Sequence, residues 1–491
     1  MAHIVVVGAG MGGLAAAIRL RLAGHTVAVY EANAYVGGKL SVLQVGAYRF
    51  DAGPSLFTQP DYHAELFRLA GKNPANYFAY KRLDTVCHYF WPDGSSLQAP
   101  ADPTALAKAL ATTFGEDRAA VEAYLARGRK KFALAGDIFL NNPLQRLGTF
   151  TSAKAARAIA QIYKLQIFRS LHGLHRATFR HPHTVQLFDR YATYNGSDPY
   201  QASALYSMIP SFEHGEGAYF PTEGMASIGQ SLYRLAEELG VAFHFNCPVL
   251  AIERAGNRVK GIRTAAGPMA ADAVVSNADV THLYRDLMPA APAPERALAQ
   301  PLSTSAVVFY WGVRRSFGQL GLHNIFFSGD YKAEFEALFQ SRRWPADPTV
   351  YVNISSKYKP DDAPAGAENW FVMVNVPART DLDTPEAVAA LRQTVLRILS
   401  ARLGVEIEPL IEAETLLTPS SIQRRTSGWQ GALYGSNSNS LWSGFWRHPN
   451  FSARYKGLFF TGGTVHPGGG IPLALKSGQI AARLAQAYLQ K

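Results

Sequence analysis

The sequence predicts an α/β fold that combines a parallel sheet with a second, mixed sheet, and three stretches support this prediction. The N-terminal stretch HIVVVGAGMGGLAAAIRL has a β-branched run, a glycine turn and an alanine-rich helical pattern, and TVAVYE then supplies another strand. Near the other end, TGGTVHPGGG precedes IPLALKSGQIAARLAQAYL, whose apolar residues recur at helical spacing. Between them, TSAVVFYWGVRR and NWFVMVNVP have the β-branched and aromatic residues of sheet strands, which would form either a tunnel wall or a packed core face.

Length and composition exclude several classes of protein. The chain has 491 residues, 48% of them hydrophobic, which is enough for buried cores. Its two cysteines, Cys87 and Cys247, cannot form a disulfide framework, and no Cys-x-x-Cys or His-Glu-x-x-His spacing predicts a metal site. No uncharged apolar run approaches the ~20 residues that span a bilayer. The first residues also lack the basic region of a signal peptide, so we expect a protein that is soluble or peripheral to a membrane.

The N-terminal glycines have the spacing of a dinucleotide-binding turn. Gly8, Gly10 and Gly13 follow a Gly-x-Gly-x-x-Gly pattern between the first strand and the helix, and Glu31 ends the second strand. The first glycine would permit the tight turn, the second would admit a pyrophosphate against backbone N–H groups, and the third would let helix and strand pack closely. Glu31 would accept hydrogen bonds from ribose hydroxyls. A glycine-rich turn beside an exposed glutamate is the alternative, but the order of the elements favours dinucleotide binding.

Later stretches favour FAD as the dinucleotide. GGK at 37–39 extends the glycine pattern as in flavoproteins with two dinucleotide-binding domains, where Lys39 replaces the usual Arg. FDAGPSLFT at 50–58 supplies a turn that would follow the ribityl chain, and the C-terminal glycine loop would cradle the isoalloxazine. In this class the strand around CPVLAIE holds the adenine through its backbone, although an ordinary edge strand is the alternative. The predicted contacts of FAD in a Rossmann-like domain are Gly8, Gly10, Gly13, Glu31, Gly38, Lys39, Gly53, Pro54, Val249, Gly463, Gly470, Ile471 and Pro472.

Five stretches carry a resemblance to a known family over essentially the whole chain. They are VVVGAGMGGLAAAIRL, GGK, FDAGPSLFT, VVSNADVTHLYRDL at 274–287 and GTVHPGGGIPLALKSG, of which the last is the most specific. With them the chain resembles the bacterial phytoene-desaturase family of FAD-dependent carotenoid desaturases. RYATYNGSDPY at 190–200 and YFPTEGM at 219–225 resemble the branch that includes hydroxycarotenoid 3,4-desaturases. The resemblance implies hydride transfer from a phytoene-like or hydroxylated C40 polyene to the flavin, with a quinone or oxygen as final acceptor.

Two other functions fit the same layout. A carotenoid isomerase would use reduced FAD and cause no net oxidation. A prenyl-binding chaperone of the GDP-dissociation-inhibitor type would have a degenerate flavin site, whereas the glycines, Glu31 and the loop at 461–472 are intact here. Oxidation of a polyene also requires the loss of a proton. His466 is the titratable side chain in the predicted flavin loop and is our candidate for the catalytic residue, with a structural hydrogen bond as the alternative.

The chain divides into three predicted parts. Residues 1–85, 220–299 and 415–491 would form a discontinuous FAD-binding domain, and 86–120 with 300–414 a substrate-binding domain. Residues 121–219 would form a helical, basic part that contacts a membrane, since 121–180 contain eleven Lys and Arg but two acidic residues. Four histidines of this part are close in sequence but are not ordered as metal ligands; they are His172, His175, His181 and His183.

The stretch AKAARAIAQIYKLQIF at 153–168 has the pattern of an interfacial helix. Helical spacing puts Lys154, Arg157, Gln161 and Lys164 on one side, and Ala155, Ile159, Ile162 and Tyr163 on the other. The cations would meet anionic headgroups while the apolar face enters the acyl boundary. A solvated cationic face over a protein core is the alternative, and a place for Arg157 at a tunnel mouth is another. No nucleic-acid motif accompanies the charge, so we expect a peripheral protein on the cytoplasmic face of a membrane, without a nucleic-acid partner.

Overall fold

A five-stranded parallel sheet collects strands from the beginning, middle and end of the chain. The computed structural model describes residues 1–151, 153–440, 443–444 and 446–491. The strands lie in the order Ala242–His244, Thr26–Tyr30, His3–Val7, Ala273–Ser276 and Leu458–Phe460. The central strand is covered on both faces, which explains its unbroken apolar run. The predicted α/β class is confirmed, while the exact bounds of the predicted domains stay predictions.

Two long helices pack against each other beside this sheet, Met11–Leu22 from the N-terminal motif and Ile471–Leu489 from the C-terminal one. Their close approach depends on glycine. A Cβ on Gly478 would lie 2.6 Å from the Gly12 carbonyl oxygen, well inside van der Waals contact. The small residues of both motifs therefore bring the two helix N-termini to one cavity.

A seven-stranded mixed sheet forms the second half of the molecule. Its order is Ile411–Leu417, Ser305–Val313, Glu368–Val376, Val350–Ile354, His323–Phe326, Thr85–Phe90 and Ser96–Pro100. Neighbours pair antiparallel, apart from the parallel pair of His323–Phe326 with Thr85–Phe90. Alternate side chains of a strand point to opposite faces. Phe309 and Trp311 accordingly pack in the core under helix Pro385–Leu403, whereas Ala306 and Val308 face the cavity.

Both interpretations of the aromatic strands are therefore correct, because one face of the sheet is core and the other is cavity wall. Smaller sheets complete the β-structure, with strands Ala251–Ala255, Arg258–Thr264 and Gly267–Ala270; Val42–Val45 and Tyr48–Asp51; and Phe57–Thr58, Ala218–Pro221 and Tyr80–Arg82. Further α-helices among the described residues are Asp61–Leu69, Pro103–Phe114, Arg118–Asn141, Ala153–Ala160, Leu171–Arg176, Pro182–Asp189, Ile209–Ser211, Ser227–Glu238, Val280–His282, Glu295–Leu298, Tyr331–Glu336 and Pro419–Thr426.

The helix predicted over 153–168 is shorter than expected. It ends at Ala160, a 3-10 turn follows at Ile162–Leu165, and Gln166 has a φ of +54°, which a right-handed helix cannot contain. Part of its predicted apolar face is buried at Ala155, but Ile159 is exposed. Among the described residues, no helix combines the length and the apolar character that crossing a bilayer requires.

Candidate cofactor and substrate cavity

A cavity of about 850 Å³ is lined by residues of both large sheets and of the two long helices. Most residues predicted to bind the cofactor line it, although they come from widely separated stretches. These residues are Gly8, Gly10, Glu31, Gly38, Lys39, Gly53, Pro54, Val249, Gly463, Gly470, Ile471 and Pro472. Two further predicted residues, Gly13 and His466, are outside the cavity lining.

The N-terminal glycine turn has the geometry that its spacing predicts. Gly8 has a φ of +93°, in the region that favours glycine. Gly10 is the N-cap of helix Met11–Leu22, and a Cβ there would lie 2.5 Å from the Asn277 side-chain nitrogen. A Cβ on Gly13 would lie 2.1 Å from the Gly8 carbonyl oxygen. Gly13 therefore acts on helix–strand packing behind the cavity, which is the role its position in the pattern suggests.

Glu31 holds its carboxylate at the carboxyl end of strand Thr26–Tyr30. One oxygen accepts a hydrogen bond from the Ala9 backbone N–H at 2.7 Å. The other accepts from the backbone N–H of Asn33 at 2.9 Å and from its side-chain amide at 2.8 Å. A carboxylate has about four lone-pair positions, so acceptor capacity remains for ribose hydroxyls. The glutamate is thus fixed in place before a ligand arrives.

The segments around Lys39 and Gly53 fit against each other closely. A Cβ on Gly53 would lie 1.8 Å from the Lys39 carbonyl oxygen. The Lys39 ammonium donates to the carbonyl oxygens of Leu433 at 2.5 Å and Ala432 at 3.4 Å. Burial lowers the pKa of Lys39, and the nearby Asp279 carboxylate opposes that shift. Through these two hydrogen bonds Lys39 links the N-terminal part of the cavity wall to the C-terminal part.

The C-terminal glycine loop leads into the N-terminus of helix Ile471–Leu489. Gly470, its N-cap, has a φ of +105°. In the described part of the chain, no side chain caps this helix or helix Met11–Leu22. The first-turn N–H groups and the dipoles of both helices are thus available to electron-rich groups of a ligand. The glycines of this loop therefore bring backbone rather than side chains to the cavity.

Sequence reasoning missed two polar residues of the same wall, Asn277 and Asp279. Both follow strand Ala273–Ser276 and line the cavity. Their position directly after a strand was a usable signal in the sequence, because ligands of open α/β sheets bind at the carboxyl ends of the strands. Asp279 caps the next turn through the N–H of Thr281 at 2.8 Å, and burial raises its pKa. The Asn277 Oδ1 is buried without a hydrogen-bond partner among the described residues, as expected for a group that awaits a ligand.

His466 occupies a structural position behind the loop. Its side chain is fully buried, and its Nε2 lies 2.8 Å from the Phe139 carbonyl oxygen and 3.0 Å from that of Asn142. Both partners are acceptors, so Nε2 carries the proton. Burial lowers the pKa of this imidazole to about 4, which leaves it neutral at neutral pH. The catalytic role of His466 stays a prediction, and its position outside the cavity lining favours the structural alternative.

The residues of this half of the cavity fit FAD. Two uncapped helix N-termini suit the pyrophosphate and the flavin, and the Glu31 carboxylate suits the ribose. Glycine at 8 permits the positive φ of the turn, and a Cβ at 10 or 53 would collide with neighbouring protein atoms. Val249 lines the cavity just before strand Ala251–Ala255, in the position predicted for adenine contact.

The other half of the cavity is mostly apolar. Its wall includes Val86, Ala306, Val308, Ile325, Phe371, Met373 and Leu417, chiefly from strands of the seven-stranded sheet. Polar residues also line it, and sequence reasoning missed them: Arg190, Thr193, Tyr194, His323, Glu334, Thr349 and Tyr351. Arg190, Thr193 and Tyr194 belong to the stretch 190–200 that carries part of the resemblance, but the sequence assigned no site role to them. The others come from separate segments, so only the fold brings the whole set to one cavity.

The four histidines at 172, 175, 181 and 183 have hydrogen-bond partners within the protein. His172 and His175 contact the Asp189 carboxylate at 2.6 and 2.7 Å, and His183 contacts Asp93 at 2.8 Å. The side chain of His181 accepts from the N–H of residue 183 at the start of a helix. Within the described residues, no group of three or more His, Cys, Asp or Glu is placed to hold a metal ion.

The fold and its cavity are those of a flavin-dependent oxidoreductase. The chain belongs to the family of flavin containing amine oxidoreductases, whose model matches residues 11–485. It is 44% identical over 484 residues to a 1-hydroxycarotenoid 3,4-desaturase of a Flavobacterium species, covering 99% of both chains. A zeta-carotene-forming phytoene desaturase of Myxococcus xanthus is 32% identical, over 98% of this chain and 92% of that one.

A solved structure gives the same architecture. Cyclohexylamine oxidase from Brevibacterium oxydans superposes with a TM-score of 0.62 at 17% identity, covering 100% of both chains. At this identity the likeness concerns the fold alone. Together the comparisons confirm the predicted resemblance to the carotenoid desaturases, FAD as cofactor, and an FAD-dependent oxidoreductase of the class that acts on CH–CH bonds. They give no support to the isomerase or to the chaperone.

Proposed function

We propose that this protein introduces the 3,4 double bond into a 1-hydroxylated carotenoid. The observation that carries the proposal is the placement of the stretch at 190–200, which resembles the hydroxycarotenoid branch. Arg190, Thr193 and Tyr194 of that stretch line the apolar half of the cavity, where a polyene would lie. The 44% identity to a 1-hydroxycarotenoid 3,4-desaturase, against 32% to a phytoene desaturase, favours the same branch.

The chain's own residues would position the polyene and exclude water. FAD, when bound, supplies the hydride acceptor. The cavity-facing side of the seven-stranded sheet offers Val308, Phe371 and Met373 to the hydrocarbon, and burial of apolar surface would hold it there. The polyene would lose a hydride and a proton, which together are two electrons and two protons, and a quinone or oxygen would finally take them up as quinol or hydrogen peroxide.

Turnover of two substrates tests this function. Purified, FAD-loaded protein is supplied with a 1-hydroxylated acyclic carotenoid or with phytoene in liposomes, and products are identified by mass. We expect loss of two hydrogens from the hydroxylated carotenoid and little or no conversion of phytoene. Preferential conversion of phytoene would assign the protein to the phytoene-converting branch of the family. A product that is an isomer of unchanged mass would contradict a desaturase activity.

We also propose that the protein docks on the cytoplasmic face of a membrane through segment 147–168. Large apolar side chains are exposed there beside cations, namely Phe150, Ile159, Ile162, Tyr163 and Phe168 with Arg157 and Lys164. Tyr163 is 71% exposed and Phe168 is 87% exposed, so these side chains do not cover a protein core. Aromatic and aliphatic groups next to cations suit the interface of an anionic bilayer. The side chain of Lys154, also predicted for this surface, lies outside the described residues.

Vesicle binding tests the docking surface. Binding should strengthen with anionic lipid and weaken with salt, at about 1 kcal/mol per cation near the surface. The triple substitution of Lys154, Arg157 and Lys164 by Glu should release the protein while FAD content is unchanged. A control that replaces the exposed cations Lys332, Arg343 and Arg397 by Glu changes the net charge equally. Equal loss in both variants, or in neither, would contradict docking through this segment.

A further inference from the structure

Several buried polar side chains lie in the part of the cavity that should hold hydrocarbon. Arg190 is on the 3-10 segment Arg190–Asn195, His323 on strand His323–Phe326, and Glu334 on helix Tyr331–Glu336. Their exposed fractions are 8%, 4% and 4%. Buried polar groups in proteins normally have hydrogen-bond partners, because leaving one unpaired destabilises the folded protein. A group that stays unpaired beside a cavity therefore points to a polar ligand atom.

The hydrogen bonds around His323 determine which of its ring nitrogens carries the proton. The side-chain nitrogen of Asn353 donates to the Leu322 carbonyl oxygen at 3.0 Å, which fixes the orientation of its amide, and it lies 3.2 Å from His323 Nδ1. Tyr351 places its hydroxyl 2.7 Å from the same Nδ1 and 2.6 Å from Ser55 Oγ. Nδ1 is thus assigned as the acceptor, with Ser55 donating to Tyr351 and Tyr351 donating to His323.

The proton of the neutral ring is therefore on Nε2, which faces no acceptor among the described residues. Burial lowers the pKa of His323 to about 3, and the charge of Arg190 adds to this shift, so the ring is uncharged at neutral pH. The Nε2 atom is buried and has no hydrogen-bond partner in the described residues. His323 thus offers one unused N–H donor on a cavity-lining side chain.

Arg190, whose charge acts on His323, offers a second unused donor in the wall of the same cavity. Its guanidinium lies among the rings of Tyr89, Tyr191 and Tyr194 and donates to the Tyr89 hydroxyl at 2.8 Å and, at 3.5 Å, to that of Tyr194. The Nε atom is buried and finds no partner within the described part of the chain. Because Tyr194 donates in turn to the buried Glu213 carboxylate, the orientation of the guanidinium is well supported.

Glu334 supplies an acceptor to the same cavity. Its carboxyl group accepts from the hydroxyls of Ser328 and Thr349 at 2.7 Å each and from the Thr349 backbone N–H at 3.0 Å. One lone-pair position of the carboxylate remains after these three bonds. Two unused donors and one unused acceptor match an alcohol, whose oxygen has two lone pairs and one proton.

We propose that Arg190, His323 and Glu334 form the binding site for the hydroxyl group of the carotenoid and so select hydroxylated over unhydroxylated substrates. This inference rests on the proposed function and deepens it. The N–H groups of Arg190 and His323 donate to the hydroxyl oxygen, and the hydroxyl proton is directed to Glu334.

The position of this site relative to the cofactor half agrees with oxidation near the hydroxyl end. Ser55 belongs to the stretch 50–58, and it lines the cavity beside Gly53 and Pro54. The hydrogen bonds from Ser55 through Tyr351 reach His323. The hydroxyl site is therefore two hydrogen bonds from the wall of the cofactor half. In a 1-hydroxycarotenoid, carbon 3 is two bonds from the carbon that bears the hydroxyl, so the bond to be oxidised would lie close to that wall.

A pair of substrates that differ only in the hydroxyl group tests the inference. We expect wild-type protein to have a kcat/KM about 100-fold or more higher for the 1-hydroxylated polyene than for its unhydroxylated counterpart. His323→Leu should reduce that preference about tenfold, mostly through KM, since one hydrogen bond to substrate is lost. His323→Gln keeps a donor N–H and should recover part of the preference. Binding to dithionite-reduced protein, followed by the visible absorbance of the carotenoid, should give the same order without turnover.

His63→Leu is the matched control. His63 is 1% exposed and its Nε2 contacts Ser231 at 2.9 Å, away from the cavity lining. This variant should lose stability yet keep the substrate preference. Equal affinity of wild-type protein for the two polyenes would overturn the inference without any variant, and so would an unchanged preference in folded, FAD-loaded His323→Leu. Failure of the proposed function is a separate result, namely no oxidation of either polyene by wild-type protein that still binds the hydroxylated one preferentially.

Discussion

The two halves of the cavity are built in different ways. The cofactor half uses backbone: glycine turns, helix N-termini and one carboxylate at a strand end, with most contacts in short stretches of sequence. The polar site of the substrate half uses side chains from separate elements, held by hydrogen bonds such as those from Ser55 through Tyr351 to His323. A cofactor that is the same in many proteins can be bound by a local motif. A substrate that distinguishes close relatives requires side chains whose arrangement depends on the whole fold.

The largest effect is expected where backbone meets backbone in the cofactor half. Gly53→Ala would place a Cβ 1.8 Å from the Lys39 carbonyl oxygen, and a backbone atom cannot move aside as a side chain does. We expect protein without bound FAD and with a markedly lower unfolding temperature. The checks are the flavin absorbance and a thermal melt. Gly318→Ala is the control, because a Cβ there meets no atom within 4 Å among those described; a flavin-loaded Gly53→Ala would contradict the close fit.

A smaller effect is expected from the buried carboxyl group of the substrate half. Burial raises the pKa of Glu334 from 4.5 to about 7. Between these values the folded protein retains a proton that the unfolded chain has lost, so this group's stabilising contribution, complete below pH 4.5, is lost as pH rises through about 7. The full change is about 3 kcal/mol at 1.36 kcal/mol per pKa unit. Glu334→Gln should remove this part of the pH dependence.

Urea unfolding at pH 5 and pH 8 measures the effect of Glu334→Gln. The free energy of unfolding of the variant, relative to wild type, should be higher at the alkaline pH than at the acidic one. Glu253→Gln serves as the control, because that glutamate forms an exposed ion pair with Arg263. The same difference between Glu334→Gln and wild type at both pH values would rule out the raised pKa.

Substitution of Glu31, the carboxylate of the cofactor half, should have a smaller effect than either Gly53→Ala or Glu334→Gln. In Glu31→Gln one oxygen becomes an NH₂ group, which then faces an N–H donor of either Ala9 or Asn33. The lost acceptor and the repulsion between donors should raise the Kd for FAD about 10- to 100-fold, or about 1.4–2.8 kcal/mol. Titration of apo-protein with FAD, followed by flavin fluorescence, measures the change. An unchanged Kd would mean that Glu31 orders the turn without contacting the cofactor.

The sequence could predict the cofactor half because its chemistry depends on spacing. The glycines at 8, 10 and 13 and the acid at 31 have fixed relations along the chain, and the structure places 8, 10 and 31 in the cavity wall. Asn277 and Asp279 could also have been predicted from the sequence, since they follow a strand of the parallel sheet. Arg190, His323 and Glu334 could not have been predicted as one site, because only the packing of three separate elements brings them to the same cavity. The role of His466 stays a prediction: nearby residues of its loop line the cavity, while its own side chain is buried behind the loop.

The smallest effect is expected from the hydroxyl that connects the two halves. Tyr351→Phe removes the donor to His323 Nδ1 and the partner of Ser55, while the Asn353 amide remains 3.2 Å from Nδ1. The ring should therefore keep its proton on Nε2, and we expect a loss of about 1 kcal/mol in stability, the value of one neutral hydrogen bond. The preference for a hydroxylated carotenoid should fall by less than about threefold, which is much less than in His323→Leu. The two variants are compared by urea unfolding and by kcat/KM for the two polyenes. An equal loss of preference in both would show that Tyr351 rather than Asn353 determines the protonation of the ring.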